Sequence, residues 1–439
     1  MLKAELIWML TRRVIVLKQR ISKEEIMKRL HMKSLHQVSQ ISQIRAVCLM
    51  SFVLVSFMAR EVRADFASDC ASLMSALVDA GREDKWVQRM LDPRAGKNEF
   101  FLDQELAPWI GYYFPFVKGG IAVRWQRGQR APTKLLSEEL AGSSTSVTKN
   151  AVIEKLRAMS KEERNLLSPA EKMDIYLGQY DFPITVTELT RRGPRRAPSP
   201  QEWEGFCNGR CAAGMLTREP VKPISVRNAD GIEITFQPND IKALITASYF
   251  YVEKYAQMGV PNMSKIPRVD GRVDAAAFDI ALRSFLGESQ RPFVVDIDPT
   301  EEIWNHLAVG YKRVLGAEVP VPPDAQGLPA RAKFEVSARL TVYYINDLHN
   351  IARHNKPTVD MVRKDNYTAI FPRHYPYKLY LDENKQIVGG SWNSSKDYPD
   401  FVWFPEGRGT DDVQGVNPHL PFDKVMELVE ASSSKTSSN

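Results

Sequence analysis

Hydrophobic and polar positions change their period along this chain, helical in the first half and strand-like in the second. From Ala71 to Val87 apolar residues recur at helical spacing, and a second helix is predicted over Asn150–Met159. Ser168-Pro169 with Glu171 is a helix start, since serine caps, proline suits the first helical position and the glutamate can return to the cap N–H. The stretch Trp109-Ile110-Gly111-Tyr112-Tyr113-Phe114-Pro115-Phe116 is apolar enough to be core or a docking surface, and Thr133–Thr148 is a Ser/Thr-rich connection. Arg191–Pro200 is basic and proline-rich; it reads as a solvated linker, with a protease-sensitive site or an acidic-substrate contact as alternatives. Beyond it, Ile232–Phe236 alternates with period two, and Asp240–Ile245 starts a helix with Asp240 as its cap. Ala277–Leu282 fits a strand or a helical turn. Phe293–Asp298 predicts a strand with Asp296 and Asp298 on one face, and Leu340–Ile345 and Tyr377–Asp382 are further strands, the last turning through Asp382–Gln386 into Ile387–Gly390. Helices followed by strands predict an α+β fold without alternating βαβ units or internal repeats. The chain divides into a mainly helical region (65–200), a cysteine-containing core (201–330), a β-rich part of that core or accessory domain (331–431) and a polar, disordered tail (432–439).

Charge changes the picture at the N-terminus. The net charge is +6, but residues 1–64 hold 12 Lys/Arg and 4 Asp/Glu, leaving 47 and 49 in the rest. The near-neutral body shows no basic stripe interleaved with aromatics, which argues against a nucleic-acid partner. Arg45 precedes an apolar run, Ala46–Ala59, and small-residue cleavage follows at Val62-Arg63-Ala64. The run falls short of the roughly 20 residues of a membrane span and fits a signal-peptide h-region, so residues 1–64 are read as a signal peptide on an over-long N-terminal extension. Met27 and Met32 are alternative starts. The expectation is a secreted or periplasmic protein without a membrane partner; an uncleaved anchor is the competing reading, because Arg60, Glu61 and Arg63 crowd the cleavage site.

The segment Trp203-Glu204-Gly205-Phe206-Cys207-Asn208-Gly209-Arg210-Cys211-Ala212-Ala213 carries the candidate chemistry. A cysteine at a glycine-flanked turn entering a helix feels the positive helix end, which favours thiolate, and small residues after it allow close packing. The competing reading makes Cys207 and Cys211, at i and i+4, small buried side chains. After cleavage Cys70, Cys207 and Cys211 remain. A Cys70–Cys211 disulfide would leave Cys207 free, and three reduced thiols are the alternative. No Cys/His set has zinc spacing, His349 and His354 do not make an i, i+4 metal pair, and no EF-hand loop is present.

Several blocks occur in a telling order: Leu167-Ser168-Pro169-Ala170-Glu171-Lys172, the cysteine block, Gly231-Ile232, Asp240-Ile241-Lys242-Ala243-Leu244, Trp304-Asn305-His306 with Gly310-Tyr311-Lys312, Gly389-Gly390-Ser391-Trp392, and Pro399-Asp400-Phe401-Val402-Trp403. From about Trp109 to Trp403 the chain resembles the oomycete and bacterial transglutaminase elicitor family, whose catalytic core is similar to papain-like cysteine proteases. The resemblance implies a protein-glutamine gamma-glutamyltransferase: a thiolate attacks the glutamine carboxamide, ammonia leaves, and lysine or another amine resolves the thioester. It places Cys207 as nucleophile, Asp296 as the group that orients the base with Asp298 as its rival, Gln201 and Asn208 as oxyanion or supporting groups, and Trp203, Arg210, Trp304 and Asn305 along the substrate groove. Protein glutamine and lysine side chains are the implied partners. No cofactor is required, though relatives have been associated with calcium.

In the position the family gives to a histidine, Asp279 stands within Ala277–Leu282. A carboxylate beside Cys207 would raise the thiol pKa where a histidinium would lower it, and Arg210, in place of an aromatic, stabilises a thiolate but accepts no proton. The other histidines beyond residue 64 are His306, His349, His354, His374 and His419, with His306 expected as a packing residue. Beside the transferase stand a catalytically impaired binding protein with Asp279 replacing the base, and a thiol peptidase or amidase in which water resolves the thioester.

Overall fold

A computed structural model describes residues 66–79, 85–127, 132, 134, 136–141, 148–262, 271–347, 358, 362, 369–410 and 416–433. The expected signal segment and cleavage site (residues 1–64), His349 and His354 lie outside the described residues.

The principal helices are α1 (Phe66–Asp79), α2 (Lys149–Ala158), α3 (Pro169–Tyr176), α4 (Cys207–Leu216), α5 (Pro238–Ser248), α6 (Ala275–Ala281) and α7 (Phe422–Ser432). The strands are β1 (Glu99–Phe101), β2 (Ile224–Arg227), β3 (Glu233–Phe236), β4 (Val252–Met258), β5 (Phe293–Asp296), β6 (Asn305–Pro320), β7 (Phe334–Ile345), β8 (Ile370–Leu381), β9 (Ile387–Trp392) and β10 (Val402–Gly409). One large sheet runs β4-β10-β5-β6-β7-β8-β9, with β1 also on β6, while β2 and β3 pair separately; every pairing is antiparallel. The fold is therefore mixed helix and antiparallel sheet. Among the described residues one cluster of buried hydrophobic side chains runs from Cys70 to Val429. No helix among the described residues is long and apolar enough to cross a membrane.

Local sequence accounts for several elements. Ser168 and Glu171 form the capping box of α3, each accepting from the other's backbone N–H at 3.2 and 2.8 Å, with Pro169 in the first turn. The apolar period from Ala71 is broken: α1 ends at Asp79 and a short helix covers Lys85–Arg89. Asp240 is not the cap of α5. The cap is Gln237, and Asp240 sits three residues into the helix, where its carboxylate accepts the Gln237 N–H at 2.8 Å and pairs with buried Lys172 at 2.5 Å. Ala277–Leu282 is helical because Asp274 caps α6, accepting from Ala276 and Ala277 N–H, and an alanine run follows. The strand from Phe293 stops at Asp296; Asp298 lies in the following turn and accepts the Thr300 N–H at 2.7 Å, so the two acids do not share a sheet face.

Candidate active site

Cys207 is the first residue of α4. The turn before it is tied to the aromatic stretch: Phe206 N–H donates to Tyr113 O at 2.6 Å and Phe116 N–H to Glu204 O at 2.8 Å. Glycines allow this approach. A Cβ on Gly205 would lie 2.8 Å from Tyr113 O, and one on Gly209 would lie 2.2 Å from Thr246 O of α5. Gly209→Ala is accordingly expected to destabilise the protein by at least about 1–3 kcal/mol, read as a lower urea midpoint, because backbone and not a flexible side chain blocks the methyl. An unchanged midpoint would contradict this packing. At the start of α4 the first N–H groups have no intrahelical acceptor, so the positive helix end faces the thiol.

Cys207 is 5% exposed, and its sulfur lies 3.5 Å from both Ile303 O and Asn305 Nδ2. Trp403 Nε1–H donates to Asn305 Oδ1 at 2.8 Å. Because an indole N–H can only donate, it fixes the amide oxygen on its own side and turns the NH2 toward sulfur. Asn305 can thus stabilise a thiolate but cannot take a proton from the thiol. Beneath the sulfur, buried Arg210 donates to Asn305 O at 2.9 Å and lies 2.8 Å from Asp347 Oδ1, close enough for an ion pair but not aligned as a hydrogen bond.

Burial pushes the Cys207 thiol up; hydrogen bonds from Asn305 and the Arg210 charge oppose this, and Asp347 reinforces it. The raised group is a neutral thiol at pH 7. Its alkylation by iodoacetamide is expected to keep accelerating as pH rises past the ordinary cysteine range of about 8.5, without a plateau in mildly acidic solution. A plateau below pH ~7 would reveal a preformed thiolate and contradict this electrostatic balance.

The structure brings only part of the expected constellation to the sulfur. Asp296 ends β5 opposite Asn305 in register. Its Oδ1 accepts from Trp304 N–H at 2.9 Å and Asp298 N–H at 3.3 Å, its Oδ2 has no hydrogen-bond partner, and burial pushes the carboxyl well up. It shapes the turn that delivers Ile303 and Asn305, and among the described residues it bonds to no histidine. Asp279 is held elsewhere, by Arg283, Arg313 and Tyr377, and does not line the Cys207 cavity. Gln201 is exposed and its side-chain oxygen accepts from Trp203 Nε1, so it is not aimed at sulfur. Asn208 spends its side-chain NH2 on Phe250 O at 2.6 Å. Of the groove residues, Trp203 and Asn305 line the cavity, whereas the Arg210 side chain of α4 is buried beside Asp347 and Trp304 packs against Tyr113, ring centroids 5.7 Å apart.

His306 is a packing residue. It bonds Ile345 O at 3.0 Å, meets Phe371 edge-on, and burial lowers its pKa to about 4. His374 bonds Thr341, and His419 is exposed. Among the described residues no histidine bonds the Cys207 sulfur. Cys70, Cys207 and Cys211 are all free buried thiols, so the Cys70–Cys211 bridge is absent from the structure. Among the described residues no group of three His, Cys, Asp or Glu could hold a metal ion.

A cavity of about 440 Å³ opens at Cys207, walled largely by rings: Phe116, Trp203, Phe250, Tyr251, Tyr255 and Trp403. The site thus combines a cysteine at the head of a helix, an amide held against its sulfur and a largely apolar cavity. The sequence matches the family described as Transglutaminase elicitor over residues 97–256 and 266–435, well over half of the chain. The chain belongs to the transglutaminase elicitor family. The crystal structure of the GP42 transglutaminase from Phytophthora sojae aligns with a TM-score of 0.57 and 21% identity, covering 83% of this chain and 97% of that one; at that identity the likeness concerns the fold. Among curated proteins none matches in sequence. In this member of the transglutaminase elicitor family, sequence reasoning missed the roles of Ile303, Asp347 and Trp403. Trp403 stands in one of the family blocks, and Asp347 follows the end of β7 by two residues, but nothing in either segment shows which residue faces the cysteine.

Proposed function

We propose that the protein is an exported protein-glutamine gamma-glutamyltransferase acting through Cys207. The observation that carries this reading is the Cys207 sulfur at the head of α4, at an aromatic cavity, with Asn305 fixed as a donor by Trp403. The family membership supports the reaction class. A nucleophile helix on an antiparallel sheet that supplies an amide is also the arrangement expected of a papain-like core.

In the proposed reaction the thiol gives up its proton and sulfur attacks the carboxamide carbon of a protein glutamine. The carbon–nitrogen bond breaks, ammonia leaves with the added proton, and a thioester forms. A lysine amine then attacks that carbon, releasing the thiol and leaving an isopeptide bond. Asn305 and the first N–H groups of α4 are the donors available to charge developing at sulfur or oxygen. The proton acceptor is assigned by testing His306→Ala and His349→Ala. His349 follows Asp347 by two residues in sequence, and imidazole is the side chain that most often serves as general base.

The assay is incorporation of a fluorescent amine into a glutamine-rich protein by residues 65–439, with Cys207→Ala beside the parent. Incorporation lost in the variant supports the transferase. Glutamine deamidation without incorporation would instead support the amidase. A silent parent with intact fold would support the impaired binding protein, a reading favoured by the neutral thiol and the turned-away His306.

A further inference from the structure

We infer that the groove at Cys207 selects glutamines flanked by aromatic or large aliphatic residues and rejects those flanked by charge; this rests on the transferase reading. The aromatic wall is continuous from sulfur to solvent. Asn305 bonds Cys207, Trp403 bonds Asn305, and the Tyr255 ring meets Trp403 edge-on at 6.3 Å between centroids. Trp203, Phe250 and Tyr251 line the same cavity, with Phe250 and Tyr251 in an edge contact at 4.8 Å.

Two exposures set this groove apart. Tyr255 is 57% and Tyr251 38% exposed, whereas most large apolar side chains in the described residues are buried. Rings left open at the mouth of a cavity gain by being covered, and aromatic anchors of this kind dominate recognition energies. The charge distribution points the same way. Glu204 is the one carboxylate on the described lining, and Arg196 engages both of its oxygens at 2.8 Å. A charged residue beside the glutamine would therefore lose water and meet no free counter-ion on the described lining. The cavity volume, about 440 Å³, holds more than a carboxamide side chain and leaves room for a neighbouring residue.

The test uses short blocked peptides identical except for the residues flanking a central glutamine: phenylalanine, glycine or glutamate. Each is measured for kcat/KM of amine incorporation with residues 65–439, and for binding to the Cys207→Ala variant by fluorescence anisotropy. The expected result is kcat/KM at least about tenfold higher for the phenylalanine peptide than for the glutamate peptide, with the same order in binding. Tyr255→Ser is expected to collapse that ratio and Tyr255→Phe to keep it. Equal kcat/KM for all three peptides, or a ratio untouched by Tyr255→Ser, would overturn the inference and leave the transferase intact. Ordered binding to Cys207→Ala without turnover by the parent would keep the groove preference and remove the transferase. Equal binding without turnover would remove both.

Discussion

Asp279→Ala is expected to cost about 3–5 kcal/mol of stability, enough to unfold much of the population, because it strips the counter-ion from two buried guanidiniums. Asp279 accepts from Arg283 Nε at 2.9 Å, from Arg313 at 2.8 and 3.0 Å, and from the Tyr377 hydroxyl at 2.7 Å. Both arginine side chains are fully buried. They also hold the segment from Met90 to Asn98: Arg283 donates to the carbonyls of Met90, Asp92 and Ala95, and Arg313 to Pro93 O and the Asn98 side chain. Loss of the carboxylate leaves two charges buried and frees that segment. Burial alone would raise the Asp279 carboxyl, but Arg283, Arg313 and Tyr377 overcome it and hold the group below its ordinary value. The sign follows from linkage. The stabilisation is complete above the unfolded carboxyl pKa of about 3.9 and is lost as pH falls through the lower folded value. Urea midpoints as a function of pH check this: the parent should lose stability on acidification through that range, and Asp279→Asn should start lower and depend less on pH. A wild-type midpoint in Asp279→Ala would contradict the structural role. Asp279→His is expected to destabilise as well, since an imidazole cannot satisfy two guanidiniums, so it does not restore a catalytic base.

Cys207→Ala is expected to reduce amine incorporation by at least about a thousandfold, since removal of a covalent nucleophile leaves only binding and oxyanion contributions. Its effect on folding should be small. The sulfur makes two long contacts of 3.5 Å, and the backbone bonds that shape its turn belong to Phe206, Phe116 and Arg210. The combination separates a chemical role from a structural one: lost turnover with a urea midpoint within about 1 kcal/mol of the parent. A variant that still incorporates amine would exclude a Cys207 thioester. Asn305→Ala should fall between, losing about a hundredfold in rate if its NH2 stabilises developing negative charge.

The difference between Asp279 and Cys207 shows where sequence reading works on this chain. A cysteine at a glycine-flanked helix start is a local feature, and Gly205 and Gly209 sit at close backbone approaches that only glycine allows. The capping box of α3 is equally local. Asp279 was assigned by position in a series of blocks, and its partners lie 4, 34 and 98 residues away. Neither period nor spacing reveals such a cluster. The first half of β6 was illegible for another reason: Asn305–Tyr311 is buried on both faces, so the alternation that betrays a half-exposed strand is missing. Trp403 acts on Cys207 through Asn305, one residue removed from the sulfur, and a sequence motif carries no sign of such a relay.

The central claim is a covalent acyl intermediate on Cys207, and the most direct measurement is the intact mass of the protein after incubation with a blocked glutamine peptide in the absence of amine. The account predicts a species heavier by the peptide less one ammonia, mapped to Cys207, sensitive to hydroxylamine and discharged by added lysine amine. No adduct on a folded parent under conditions where amine is incorporated, or an adduct that persists in Cys207→Ala, would contradict it.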